Sequence, residues 1–271
     1  MNYTTLGSVS INKVSIHLGE GKTAFQAVQH FNTFIAPGEF VCLLGTSGCG
    51  KSTLLSALAG HVPLSSGNIF VDNKLIEAPD PERSIVFQQH TLFPWKNVLQ
   101  NVAFGLKMRD IPRDKRHAQA RELLKIVGLE DFADYYPAQL SGGMQQRVEI
   151  ARVLINSPKV LLMDEPFTAL DAQTRIKMQQ LLMDIWERIH TTLVFVTHDI
   201  DEALFLADRI LIMSPSPGRI VEEIRLDFLR PRHTDIITSG HFMQLKRRCL
   251  ALLHPANTTY PQERLVPAQY S

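Results

Sequence analysis

Eight consecutive residues concentrate the chemistry of this chain. Gly45-Thr46-Ser47-Gly48-Cys49-Gly50-Lys51-Ser52 has the spacing G-x-x-x-x-G-K-[ST]. It follows a buried apolar run and precedes a helical one, so successive backbone N–H groups can point inward at phosphate oxygens. Only small side chains permit that close approach, hence the three glycines of the loop. The start of the following helix adds partial positive charge. Lys51 would neutralise the β and γ phosphates, and Ser52 would ligate Mg²⁺. Cys49 sits beside Lys51 at a helix N-terminus. It reads either as a small filler or as a thiol of lowered pKa and raised reactivity, and the second is taken as the expectation.

Two acids end an apolar strand at Val160-Leu161-Leu162-Met163-Asp164-Glu165. At the carboxyl end of a parallel strand, acids face the ligand crevice. Asp164 can hold Mg²⁺ through its water shell. Glu165 would lie on the γ-phosphate side and orient or deprotonate an attacking water. Acids also mark ordinary solvated strand ends, so the pair gains its meaning from the phosphate loop. A third segment, Leu140-Ser141-Gly142-Gly143-Met144-Gln145-Gln146-Arg147, opens a helix with a hydroxyl and two glycine amides. It reads as a Ser-capped helix or as a second phosphate-facing end. One nucleotide does not need two such ends from one chain, but two chains arranged head to tail would use both.

The elements that carry these residues alternate. Val9 to Ile16 and Gln26 to Ile35 read as strands around a Gly19-Glu20-Gly21 turn. Phe40 to Leu44 is a continuous apolar run between Pro37-Gly38 and Gly45, suited to a strand buried on both faces. A helix over Lys51 to Ala59 stops at Gly60. Pro112 to Val127 carries an apolar stripe at Ala120, Leu123, Leu124 and Val127, and Gly128 ends it. A further helix runs from about Ser141 to Ile155. Lys159 to Met163, Leu193 to Thr197 and Arg209 to Met213 read as strands, with helices over Ala172 to Ile189 and Asp201 to Ala207. This alternation predicts an α/β protein with a parallel sheet, interrupted by a helical insertion over residues 89–139.

Composition agrees. Apolar residues make up 45% of the 271 and charged residues 20%, enough for a real core and too ordered for a disordered chain. A net charge of +1 argues against binding nucleic acid by bulk charge. Cys42, Cys49 and Cys249 are too few for a disulfide framework or a four-cysteine zinc site, so a reducing compartment is expected. Met1 to Gly7 has no basic stretch leading into an apolar one, so no signal peptide is expected. No apolar run is long enough to span a bilayer. The tail after Pro255 is polar and is expected to be loosely ordered.

The segment Leu140 to Arg147 resembles the signature motif of ATP-binding-cassette ATPases, and residues 8–225 resemble that family throughout. Gly45 to Ser52 resembles its Walker A loop, and Asp164 and Glu165 its Walker B strand with the catalytic glutamate. Gln88, in Val86-Phe87-Gln88, resembles the Q-loop glutamine. Ala169-Leu170-Asp171 resembles the D-loop, and His198, in Val196-Thr197-His198-Asp199, the switch histidine. The resemblance implies a P-loop NTPase fold with an N-terminal antiparallel β subdomain. A helical subdomain would be inserted over 89–156, and a short C-terminal helix and tail would fill 226–271. It implies ATP and Mg²⁺ as ligands and a sandwich homodimer. Gly45 to Ser52 with Thr53 would hold one face of each ATP, and Ser141, Gly142, Gly143 and Asp171 of the other subunit would hold the opposite face. Ser52, Gln88 and Asp164 would serve Mg²⁺. Glu165, His198 and Gln88 would carry hydrolysis.

Within that family, Leu92-Phe93-Pro94-Trp95-Lys96-Asn97-Val98 and Asn101 to Leu106 resemble the importer branch serving taurine, alkanesulfonates and nitrate. Phe167, the stretch Thr197 to Ala203 and Pro217-Gly218-Arg219-Ile220 point the same way. This implies transmembrane permease subunits as partners, a periplasmic solute-binding protein acting indirectly, no nucleic acid, and a peripheral place on the cytoplasmic face of a bacterial inner membrane. A taurine or other sulfonate importer is the leading expectation. Nitrate, bicarbonate or a thiamine precursor follow, with a soluble cassette acting on DNA or ribosomes a distant alternative. Two positions depart from the family pattern. Thr46 replaces a proline, and Leu18 stands where an adenine-stacking aromatic is usual, leaving His17, Leu18 or Phe25 for that role. Leu92, Phe93 and Trp95 read as a partner groove or as local core against the Pro112–Val127 helix.

Overall fold

The structure is a computed structural model that describes residues 6–19, 21–89 and 91–253. The expected turn residue Glu20 and the tail after Pro255 lie outside the described residues.

A six-stranded sheet forms the centre. Its strands, in spatial order, are β10 (Ile220–Arg225), β9 (Arg209–Met213), β3 (Phe40–Leu44), β8 (Thr192–Thr197), β7 (Val160–Asp164) and β6 (Arg83–Val86). All neighbours pair in parallel except β10, which runs antiparallel to β9. The continuous apolar run of β3 is explained by its central place. Phe40, Cys42 and Leu44 enter one core layer, while Val41 and Leu43 enter the layer on the opposite face.

The first layer is built from helices: α2 (Val98–Val102), α3 (Phe104–Met108), α4 (Arg113–Ile126), α5 (Gly142–Leu154), α6 (Ala172–Ile189), α7 (Ile200–Leu206) and α8 (Gly240–Leu253). The second layer joins α1 (Lys51–Ala59) to a four-stranded antiparallel sheet. That sheet has the order β2 (Phe25–Ile35), β1 (Val9–Leu18), β4 (Ser66–Val71), β5 (Lys74–Leu75). The expected architecture is therefore present: a P-loop α/β sheet, an antiparallel β subdomain and helices inserted between β6 and β7. No helix among the described residues is long and apolar enough to cross a membrane.

Boundaries follow local chemistry. Gly60 ends α1 in the left-handed region at φ 86°, and its N–H reaches Ala57 O and Ser56 O. Gly128 follows α4 at φ 67°. β1 is longer than expected because its pairing with β2 shifts register near Ile11, Val14 and Ile16, with Lys13 at φ 47°. Such bulges break strict alternation without ending the strand.

The C-terminal segment fixes α7. Arg232, which is 7% exposed, donates through Nη1 to the carbonyls of Phe205 at 2.9 Å and Ala207 at 2.7 Å. Burial lowers its pKa to about 10. Arg230 pairs with Asp208 at 2.7 Å and donates to Leu206 O. At the other end of α7, Lys246 of α8 pairs with Asp201 at 2.7 Å.

Candidate functional site

Register alone gathers the expected residues. Leu44 pairs with Thr197, Asp164 with Val196, and Val86 with Met163. The residues that next leave the sheet are therefore Gly45, His198, Glu165 and, two beyond β6, the exposed Gln88. Four strands deliver them to one carboxyl edge, where parallel sheets place their ligands.

The loop from Gly45 to Gly50 is shaped by its neighbours. Gly50 has φ 95°, and a Cβ there would lie 2.5 Å from Ala27 O of β2. Its closeness to β2 lets the loop turn into α1 without a side-chain cap, and no acid occupies the first turn. The first amides of α1 have no partner within the helix, which suits an anion. Lys51 opens α1 and is only 4% exposed. Its Nζ donates to Gly45 O at 2.8 Å and Thr46 O at 3.0 Å, and it lies 3.9 Å from Glu165 Oε1.

Ser52 Oγ donates to Asp164 Oδ1 at 2.8 Å. Burial pushes the Asp164 carboxyl up, against the lowering effect of that hydrogen bond. A hydroxyl and an under-compensated carboxylate side by side are hard oxygen donors of the kind Mg²⁺ takes, with phosphates completing the shell. Thr53, half-buried, follows the exposed Ser52 in the same turn of α1.

Glu165 is 14% exposed and sits at φ 45°, a left-handed conformation costing on the order of 1 kcal/mol. Its N–H pairs with Val196 O at 3.0 Å, which holds the turn. Its Oε2 lies 3.0 Å from His198 Nδ1 and accepts from Thr168 Oγ1 at 3.4 Å. Acid, imidazole and ammonium thus meet at the mouth of the loop.

Ser141, Gly142, Gly143 and Asp171 form a second group. Ser141 caps α5 by accepting from Met144 N at 3.4 Å. A Cβ at Gly143 would lie 2.6 Å from Thr174, and one at Gly142 would lie 3.9 Å from Leu170. Asp171 caps α6 by accepting from the Gln173 and Thr174 amides, and the Thr174 side chain together with these amides holds its carboxyl below the usual range. Ser141 and Gly142 are exposed. The structure therefore brings Gly45 to Thr53, Gln88, Asp164, Glu165 and His198 to one edge. It sets the Ser141–Asp171 face against Leu170 and Thr174 instead.

Cys49 corrects an expectation. Its thiol is fully buried, packed where a Gly45 Cβ would lie 2.7 Å from the sulfur. Burial raises its pKa, and the Lys51 charge 3.9 Å away opposes this without overcoming it. Cys42 and Cys249 are also buried, with pKa values raised by burial. Iodoacetamide at pH 8 is expected to leave all three cysteines unmodified in the native chain and to alkylate them in urea. The sign follows from the raised pKa: the native thiols stay protonated where the unfolded ones begin to ionise. Rapid native labelling of Cys49, read by peptide mass spectrometry, would contradict the burial.

The possible adenine contacts His17 and Leu18 lie on β1, opposite Gln26 and Phe25 of β2. Phe25 is 53% exposed on β2, pairs with Leu18 of β1, and lies two residues before Ala27, where the phosphate loop packs. His17 is exposed opposite Gln26. The aromatic segment after Gln88 also divides. Leu92 packs on the helical core, whereas Trp95 is 71% exposed and its ring lies tilted against Phe93, with the centroids 5.7 Å apart. Beside it lies a groove of about 580 Å³ lined by His61, Arg83, Phe87, Thr91, Phe93 and Arg152.

Comparison with known proteins identifies the family. The ABC transporter family model matches residues 28–168. The taurine import ATP-binding protein TauB of Rhizobium johnstonii is 51% identical over 221 residues, covering 79% of this chain and 84% of the relative. The aliphatic sulfonates import ATP-binding protein SsuB of Bacillus thuringiensis is 44% identical over 244 residues, covering 90% of this chain and 94% of the relative. Among solved structures, a dimeric post-hydrolysis state of the ATP-binding cassette MJ0796 with ADP and Pi superposes with a TM-score of 0.71 at 35% identity. That match covers 82% of this chain and all of the other. With a family model across more than half of its length and a phosphate loop facing a glutamate–histidine pair, the chain belongs to the ABC transporter family and is an ATP-hydrolysing cassette.

Proposed function

We propose that this cassette energises the uptake of taurine or another alkanesulfonate, as the ATPase subunit of an ABC importer. The observation that carries the hydrolytic part is the meeting of Lys51, Glu165 and His198 at the mouth of the phosphate loop. The substrate class rests on the taurine and sulfonate import proteins among its relatives. Residues 8–225 are read as the cassette, with 89–156 as its helical subdomain and 226–271 as a C-terminal helix and tail.

Gly45 to Thr53 receive the triphosphate of ATP, and Phe25 stacks on the adenine. Ser52 and Asp164 would hold Mg²⁺, with Gln88 near its water shell; the ion supplies charge neutralisation at the β and γ phosphates. Glu165 orients a water and takes its proton as the water oxygen bonds to the γ phosphorus. The bond from that phosphorus to the bridging oxygen breaks, and its electron pair leaves with ADP. His198 holds Glu165 through Nδ1 and reaches toward the γ-phosphate. Ser141, Gly142, Gly143 and Asp171 of a second copy close over the nucleotide, making the working unit a homodimer.

The groove beside Trp95 receives a short cytoplasmic helix of a permease subunit, which sets this chain on the cytoplasmic face of the membrane. Gln88, two residues beyond β6, links the groove to the γ-phosphate. A solute-binding protein delivers the substrate to the permease from the far side. Trp95→Ala removes no core contact, so the subunit is expected to fold and to bind ATP normally. Uptake in reconstituted vesicles should fall at least tenfold, on the scale of an interface anchor, while ATP hydrolysis persists. Undiminished uptake with full assembly would remove Trp95 from the coupling surface.

Vesicles holding the co-encoded permease and binding protein test the function as a whole. ATP-dependent taurine uptake is expected. Uptake of nitrate, bicarbonate or a thiamine precursor in place of any sulfonate would move the substrate class and leave the importer reading standing.

A further inference from the structure

The two groups of site residues are joined by one side chain. Arg175 lies in the first turn of α6, four residues after its cap Asp171. Its Nη2 donates to Leu170 O at 3.1 Å, and its Nη1 lies 3.5 Å from Asp199 Oδ2. Leu170 belongs to the turn against which Gly142 packs. Asp199 follows His198 directly and caps α7, its Oδ1 accepting from the amides of Asp201 and Glu202.

A second rung lies one turn further along the same face of α6. Gln179 donates to Glu202 Oε1 at 3.1 Å, and both residues are buried. The lower ends of α6 and α7 are therefore held together by two side-chain bridges. Arg230, Arg232 and Lys246 fix α7 from its other sides. With α7 held this way, movement at Leu170 reaches the histidine turn through the guanidinium, alongside a second path in which Thr168 Oγ1 meets Glu165 and Glu165 meets His198. The guanidinium is a rigid planar fork, so its two acceptors keep a set separation or one contact breaks.

We propose that Arg175 is a positioning residue that transmits the state of the Ser141–Asp171 face to His198, making hydrolysis at the two nucleotides of a dimer cooperative. This rests on the dimer reading above, in which that face meets the nucleotide held by the other subunit. Closure over the opposite ATP moves the Leu170 turn. Arg175 carries the displacement to Asp199, and the adjacent His198 then sets the Glu165 carboxylate. Arg175 touches no nucleotide itself. Its bridge is a stretch of about two side-chain contacts rather than a long pathway, and both ends are named groups that a substitution can address.

The test is the ATP dependence of hydrolysis by the full chain. Wild type is expected to show a Hill coefficient approaching about 2, as two coupled sites allow. Arg175→Ala should lower kcat about tenfold, bring the Hill coefficient to about 1 and leave KM within about twofold. Arg175→Lys keeps a cation beside Asp199 but lacks the fork. It should restore the wild-type Tm without restoring cooperativity. If Arg175→Ala does not fold, the Lys variant alone carries the test. A wild-type Hill coefficient of one, unchanged cooperativity in a folded variant, or full rescue by Lys would overturn the proposal. The dimer reading is checked apart from it, by light scattering of Glu165→Gln with ATP. A monomer there sinks the dimer, whereas a dimer with unaltered cooperativity in the Arg175 variants sinks only the role of Arg175.

Discussion

Glu165→Gln is expected to lower ATP turnover by about 10²- to 10⁴-fold while leaving ATP binding intact, the usual range for loss of a general base. The amide keeps the size of the carboxylate and can still meet Thr168 Oγ1 and His198 Nδ1 at their present separations of 3.4 and 3.0 Å. The left-handed turn at φ 45° and its amide bond to Val196 are unaffected by the change. What disappears is the charge and the proton acceptor. Removing a negative group 3.9 Å from Lys51 also frees that ammonium for phosphate, so ATP affinity should hold or rise. Under the dimer reading, the variant then accumulates as a nucleotide-trapped dimer. Single-turnover hydrolysis and light scattering with ATP check both parts. Hydrolysis near the wild-type rate would take the base role away from Glu165, leaving His198 to be tested next.

The parts of this molecule that the sequence discloses are those fixed by short-range chemistry. β3, α1, α6 and β9 carry the boundaries their patterns predict. A buried run framed by Pro37-Gly38 and Gly45, a stop glycine at Gly60 and a capping Asp171 each act within a few residues. The β4–β5 hairpin was missed although its turn signal is present. Asp72 and Asn73 both have positive φ, as a two-residue hairpin turn requires, but β5 has only two residues and β4 opens on Ser66-Gly67-Asn68, so neither stands out as a strand. β10 carries no sequence expectation: the adjacent acids Glu222 and Glu223 interrupt its apolar pattern, and its edge position against β9 accommodates them.

The site divides in the same way. Lys51, Ser52, Asp164 and Glu165 are suggested by local spacing. Gln88 and His198 have no local distinction, and only the family resemblance singles them out; the Ser141 turn reads locally as a Ser-capped helix or a phosphate-facing end, and the resemblance chooses between the two. Cys49 shows the opposite failure. Its neighbours in sequence are a cation and a helix N-terminus, yet the packing of its sulfur beneath Gly45 is a tertiary fact, and burial decides its pKa. Arg175 was invisible for a related reason. An arginine four residues after a capping aspartate is ordinary on a helix, and its two acceptors lie in different loops.

Lys51→Ala should abolish function at an earlier stage than Glu165→Gln does. The ammonium is 4% exposed, and in the nucleotide-free chain it is satisfied by Gly45 O, Thr46 O and the nearby Glu165 carboxylate. Those partners pre-position a buried cation at the mouth of a loop whose remaining donors are backbone amides. A charge-assisted contact to phosphate is worth roughly 1.5–3 kcal/mol. Loss of contacts to both β and γ phosphates should therefore weaken ATP binding by about 10²-fold or more. The substitution also leaves two carbonyls and the Glu165 carboxylate without their cation. A fall in stability of about 1–3 kcal/mol is expected from that alone. Lys51→Arg is no remedy, because the planar guanidinium cannot fold back onto Gly45 O and Thr46 O as a compact ammonium does. Isothermal titration with ATP separates the two active-site variants. Glu165→Gln should bind and fail to turn over, whereas Lys51→Ala should fail to bind. ATP affinity within about threefold of wild type in a folded Lys51→Ala chain, well short of the expected loss, would mean that the amides and α1 N-terminus hold the phosphates unaided.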